Sequence, residues 1–155
     1  MKKILVCMLA AMTLLSCSAL QSGSTTTTAT TAGSSAVSSS SNGAAAGKAL
    51  RNLYTNYKAA GKFDYKDLNN IMNALQLVSS CKDLKNNAKN TSYWSSFAEG
   101  LISGSENLVT EQISNTVTTQ LADLAGKIDT EKVENTAEQV KSVAGDITSL
   151  ISLFK

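Results

Sequence analysis

The sequence predicts an all-α protein: an antiparallel bundle of four to five helices behind a cleaved leader and a Ser/Thr-rich linker. Three observations lead there. The 155 residues contain no proline, so nothing interrupts a helical hydrogen-bond ladder. From Gly47 onward, apolar residues recur at helical spacing. Residues 18–46 behave differently, with 15 Ser or Thr among 29 positions and no charge. The expected organisation is therefore a leader over 1–16, a linker over 17–46 and a helical domain over 47–155.

The leader opens on Lys2 and Lys3 and continues as the apolar run ILVCMLAAMTLL, Ile4 to Leu15. Twelve residues of helix cover about 18 Å, against roughly 30 Å of bilayer hydrocarbon. The run is too short to span and has the length of a signal-peptide core. Export follows, and the leader is set aside from the fold.

Leu14-Leu15-Ser16-Cys17 resembles the lipobox of bacterial lipoproteins. In that class an apolar residue, a tolerant position and a small residue precede an obligatory cysteine. The resemblance implies cleavage between Ser16 and Cys17, and a diacylglycerol on the Cys17 thiol with acylation of the new amino group. Leu15 is bulkier than the Ala or Ser often found at its position. Cys17-Ser18-Ala19 also offers an ordinary small-x-small cleavage site, which would leave Leu20 as the first residue. One acyl chain binds a membrane marginally and two or three hold it stably, at about 0.8 kcal/mol per buried CH₂. Ser18 in place of Asp implies sorting to the outer membrane, facing the periplasm; the inner membrane and the cell surface stay open.

The linker has low-complexity runs, TTTTATT and SSSS, and no hydrophobic periodicity. Such a segment reads as flexible coil with a mean reach of about 30 Å. It suits either a leash for a searching domain or a spacer clearing the headgroups.

Leu50, Leu53, Tyr54 and Tyr57 predict a first helix over Ala46 to Ala60, stopped by Gly61. Asp64 is the expected cap of the second, with Phe63 stapled onto Leu68. That helix carries two apolar stripes, Leu68, Ile71, Met72, Leu75 and Val78 on one side and Ala74, Leu77, Cys81, Leu84 and Ala88 on the other. A helix apolar on two sides is usually surrounded, so it is expected at the centre of the bundle.

Trp94, Phe97, Ala98 and Leu101 predict a short third helix capped by Thr91 or Ser92. Ser103-Gly104-Ser105-Glu106 has the form of a capping box before a fourth helix, whose stripe is Val109, Ile113, Val117, Leu121 and Leu124 up to Gly126. In the last helix Asp129 is the expected cap, Ile128 staples onto Val133, and Val133, Ala137, Val140, Ala144, Ile147, Ile151 and Phe154 form the seam. The seam suits a hairpin with the fourth helix, and an intermolecular coiled coil is the alternative.

Composition narrows the chemistry. No histidine is present, which removes the commonest general base and the commonest zinc ligand. Cys81 is alone in the folded region and sits on an apolar stripe, as a buried structural thiol would. Glu131, Glu134 and Glu138, and the pair Asp64 and Asp67, are the available carboxylate groups. They fall in or near first helical turns, where negative charge suits the helix dipole. Asn90-Thr91-Ser92 matches a glycosylation sequon by chance. No catalytic, cofactor or metal site is expected.

Lys2 and Lys3 supply the whole formal +2, so the chain from Cys17 onward is neutral, with 12 bases and 12 acids. Nucleic-acid binding has no support in such a composition. Within it, residues 48–89 carry eight bases and three acids, while 90–126 carry four acids and no base. Packing of a basic front on an acidic middle explains this, and an anionic lipid surface or acidic partner is the functional version. The expected protein is a monomeric module held at the cell envelope through acylated Cys17, serving interaction or assembly with an envelope protein partner. The alternative is a carrier of an apolar ligand.

Overall fold

A computed structural model of the protein describes residues 32–128 and 136–154, with side-chain environments from residue 38 onward. Ser16, Cys17, the leader and the linker up to residue 31 lie outside the described residues, as do Asp129 to Asn135. Five helices follow one another: α1 (Ala32–Ala60), α2 (Leu68–Asn86), α3 (Thr91–Gly104), α4 (Glu111–Ala125) and α5 (Thr136–Ser152). They pack around one core built from Leu50, Leu53, Leu77, Leu84, Phe97, Leu101, Val117, Leu121, Ile147 and Ile151, among others.

The first helix begins at Ala32 rather than near Ala46, so residues 32–46 belong to the helical domain and not to the linker. Ser39, Gly43, Ala46 and Gly47 are buried. Their small size is the reason. A Cβ on Gly43 would overlap the Phe97 carbonyl, and one on Gly47 would stand 2.6 Å from the Ser105 nitrogen. A Cβ on Gly104 would likewise strike the Ala44 backbone. The chain carries Gly-x-x-x-Gly on both helices, 43/47 and 100/104, and small residues at that spacing let two backbones touch. Ser39 adds a hydrogen bond from its hydroxyl to the Tyr93 carbonyl. The pairings 39 with 93, 43 with 97 and 47 with 101 run in the same direction, so α1 and α3 lie parallel.

Gly61 ends α1 as expected, with φ of +71° and its N–H donating to the Tyr57 carbonyl at 2.8 Å. The helix after it is capped by Asp67, not Asp64: the Asp67 carboxylate accepts the Asn70 N–H at 3.0 Å. Asp64 instead shapes the connecting turn, accepting the Lys66 N–H at 2.9 Å.

Helix α2 runs antiparallel to α1, since Asn52 pairs with Asn73 and Asn56 with Asn70. It neighbours α1, α4 and α5, yet it is not wrapped on both sides. Ala74, Leu77, Cys81 and Leu84 are buried, whereas Leu68 and Met72 on the opposite stripe are 68% and 61% exposed. Val78 on that stripe is buried as well, and Ile71 and Leu75 pack half-buried against the core, so the uncovered part is Leu68 and Met72.

Two caps fall elsewhere than expected. Asn90 caps α3, accepting the Tyr93 N–H at 3.1 Å. The Ser103–Glu106 pattern is no capping box. Ser103 and Gly104 finish α3, and Glu106 and Asn107 turn the chain at φ 51° and 66°. Helix α4 starts only at Glu111. Gly104 is needed at the α1 contact, so packing wrote a pattern that capping also writes. Ser105 secures the turn, donating to the Ile102 carbonyl and accepting the Val109 N–H, each at 3.0 Å.

In α5 the buried residues are Val140, Val143, Ile147, Leu150 and Ile151. Ala137 is exposed and Ala144 half-buried. The seam is turned relative to the expected one because α5 meets α1 and α2 as well as α4. The Asp129 cap and the Val133 staple lie outside the described residues.

Candidate functional site

The α3 helix stops at Gly104, level with Gly47, and Arg51 meets Glu106 just beyond it at 2.7 Å. Helix α1 continues to Ala60. The face of α1 that α3 covers therefore runs on past the end of α3, and Tyr54, Tyr57, Lys58 and Gly61 follow along it at i, i+3, i+4 and i+7.

Phe154, just past α5, closes one side of this stretch and leaves an open groove of about 440 Å³ lined by those five residues. Its Tyr54 and Phe154 rings meet edge to face, with centroids 6.0 Å apart and planes at 83°. That is a favoured aromatic arrangement. The Tyr54 hydroxyl donates to the Phe154 carbonyl at 3.3 Å, and the Lys58 ammonium stands 5.6 Å from the Tyr54 ring centre. The groove can hold an aromatic or aliphatic group beside one cation.

A second recess, about 380 Å³, lies between α1 and α2 and is polar: Arg51, Asn52, Thr55, Asn56, Asn69 and Asn73. Its amides are largely engaged with one another. Asn52 donates to Asn73 at 3.0 Å and Asn56 to Asn70 at 2.9 Å, while Asn73 donates to the Asn69 carbonyl at 2.8 Å. Asn70 is buried and donates in turn to the Asp64 carbonyl at 2.9 Å. The arrangement clips α2 to α1 near the groove.

The remaining sequence candidates are dispersed. Cys81 is buried and unpaired in a disulfide, and burial pushes its thiol far above the ordinary range. A thiol held neutral is not a nucleophile. Asp64 and Asp67 serve the turn and the cap of α2, and Glu138 faces Lys141 at 3.5 Å on the surface of α5. Glu131 and Glu134 lie outside the described residues. The Asn90 side chain is committed to its cap. Among the described residues no cluster of His, Cys, Asp and Glu could hold a metal, and no helix is long and apolar enough to cross a membrane.

Periodicity assigns Tyr54, Tyr57 and Phe154 to the core, and so gives no sign of the groove. The signal for it is the mismatch between a long first helix and a short third one, legible only once the glycine pairs fix their register. Comparison with family models, curated proteins and solved structures finds no match for this chain.

Proposed function

We propose that this is a lipid-anchored lipoprotein of the bacterial cell envelope whose helical bundle is a non-catalytic interaction or assembly module. In this reading Cys17 carries the acyl chains after cleavage at Ser16, and the domain works as a monomer on the periplasmic face of the outer membrane. The observation that carries the module is the Tyr54–Tyr57–Phe154 groove with Lys58 at its rim. Aromatic anchors in pockets, ringed by polar groups, dominate protein recognition. The groove also stands at the C-terminal end of α1, about 40 Å along the helix from Ala32, where the chain arrives from Cys17. An anchored protein that meets a partner gains from presenting its contact away from the anchor.

Two measurements test it. Intact mass of membrane-extracted protein reads the anchor: an acylated chain beginning at Cys17 supports it, and a free Leu20 terminus sinks it. A photo-crosslinking residue at Lys58, compared with one at Ser142 on the outer side of α5, reads the module. A discrete adduct from position 58, lost in Phe154→Ala, is expected in native membranes. Identical patterns from both positions would remove the groove from consideration.

The groove supports a second reading, a carrier of a small apolar or aromatic ligand. Native mass spectrometry separates the two, since a copurifying small molecule that is lost in Tyr57→Ser would mark a carrier.

A further inference from the structure

The outward face of α2 carries two apolar side chains, Leu68 and Met72, that neither the core nor the groove uses, beside Ile71 and Leu75 at the core's edge. At 100° per residue, Leu68, Met72, Leu75, Ser79 and Lys82 fall within about 80° of one another. Leu68 and Met72 are mostly exposed, and Ile71 and Leu75 beside them are half-buried. The strip is thus apolar over its first two turns and ends on an exposed ammonium at Lys82. Lys62 and Lys66 are exposed just before it. Among them lie Asp64 and Asp67, whose carboxylates accept backbone N–H groups, and Asp83, half-buried at the strip's edge; over residues 62–89 five lysines stand against these three carboxylates.

Size and charge choose the occupant. Stable protein interfaces bury about 800 Å² on each partner, and four side chains, two of them half covered, fall well short. A lipid surface needs much less when the domain is already held there. Residues 18–31 span at most about 50 Å even when fully extended. They keep the domain at high effective concentration over the bilayer, where a weak contact suffices. An apolar strip bounded by lysines suits an anionic surface, each lysine near it contributing about 1 kcal/mol.

We propose that the outer face of α2, from Leu68 to Lys82, docks the domain on an anionic lipid surface, with Leu68 and Met72 entering the headgroup layer and Lys62, Lys66 and Lys82 meeting the phosphates. This rests on Cys17 being the lipid anchor. With α2 lying along the bilayer, antiparallel α1 lies along it too, and the groove on the α3 side of α1 stays open to a partner.

The test uses the full processed chain with a polarity-sensitive fluorophore on Met72→Cys, reconstituted in two kinds of vesicle. One is phosphatidylcholine alone, and the other is equal parts phosphatidylcholine and phosphatidylglycerol. The expected result is a blue-shifted, brighter emission in the anionic vesicles only, with no change for the same label on Gln112→Cys. Replacing Lys62 or Lys66 by Gln should lower the docked fraction about fivefold each. Water-like emission at position 72 in both vesicles overturns the proposal. So does a shift that grows with protein concentration in the absence of anionic lipid, which would indicate self-association. The intact mass of the same preparation keeps the two readings apart: acyl chains present with no shift refutes docking alone, and acyl chains absent refutes the anchor.

Discussion

Gly100 of α3 and Ser40 of α1 touch backbone to backbone, and a methyl group added at Gly100 would overlap the Ser40 carbonyl. Ordinary helix pairs stand about 8–10 Å apart because side chains lie between them. Here the four glycines remove those side chains, and direct dispersion contact between the backbones takes their place. This accounts for a helix whose first half is, apart from Val37, made of Ser, Asn, Gly and Ala, residues that, alanine apart, form helices poorly on their own.

Gly100→Ala is expected to lower stability by about 1–3 kcal/mol, the usual cost of overpacking a closed contact. Alanine's better helix propensity offsets only part of this. Gly43→Ala should behave alike, since the Phe97 backbone blocks it. Urea unfolding of the two variants measures the effect, and neutral substitutions would mean that the helices stand farther apart.

Gly145→Ala should do the opposite. Gly145 lies inside α5 and is exposed, with nothing within 4 Å of an added Cβ. Only propensity changes there, so a gain of about 0.5–1 kcal/mol is expected. The two alanine substitutions shift the midpoint in opposite directions, and the packing contact is the difference.

The sequence made the helices legible wherever large apolar residues mark a face. Val117, Leu121 and Leu124 are buried as their spacing predicts, and Gly61 and Gly126 end α1 and α4. It concealed what small residues do. Ser39, Gly43 and Gly47 leave no hydrophobic period, so a packed half-helix reads as linker. The apolar stripe of Leu68 and Met72 misleads in the other direction, because periodicity shows which side of a helix is apolar and not whether anything covers it. The groove depends on where α3 ends beside α1, a tertiary register that no local pattern encodes.

Asn70 is buried and bonded on both sides, accepting from Asn56 and donating to the Asp64 carbonyl. Asn70→Leu removes both bonds, the Asn56 amide losing its acceptor while the Asp64 carbonyl keeps the Asp67 N–H at 3.3 Å, which should cost about 1–3 kcal/mol for the two bonds. Combining Asn70→Ala with Asn56→Ala should cost less than the sum of the single changes, by about 0.5–1 kcal/mol, because the two share one bond. Strict additivity in a double-mutant cycle would show that the bond contributes nothing to stability.

Cys81 makes stability fall at high pH. Burial raises its thiol far above the value it has in the unfolded chain, so the folded state keeps a proton that the unfolded state releases. The contribution is complete below the unfolded thiol's pKa of about 8.5. Above it the unfolded state is favoured increasingly, by about 1.4 kcal/mol once the pH is about one unit higher. Lysines and tyrosines also titrate in that range, so the measurement is a comparison. Unfolding free energies of the protein and of Cys81→Ala, followed from neutral pH upward, should converge by that amount. Alkylation of the native thiol should be slow and should accelerate with added urea, as it waits on unfolding. Parallel stability curves together with rapid native alkylation would place Cys81 in contact with water and contradict its position on the buried face of α2.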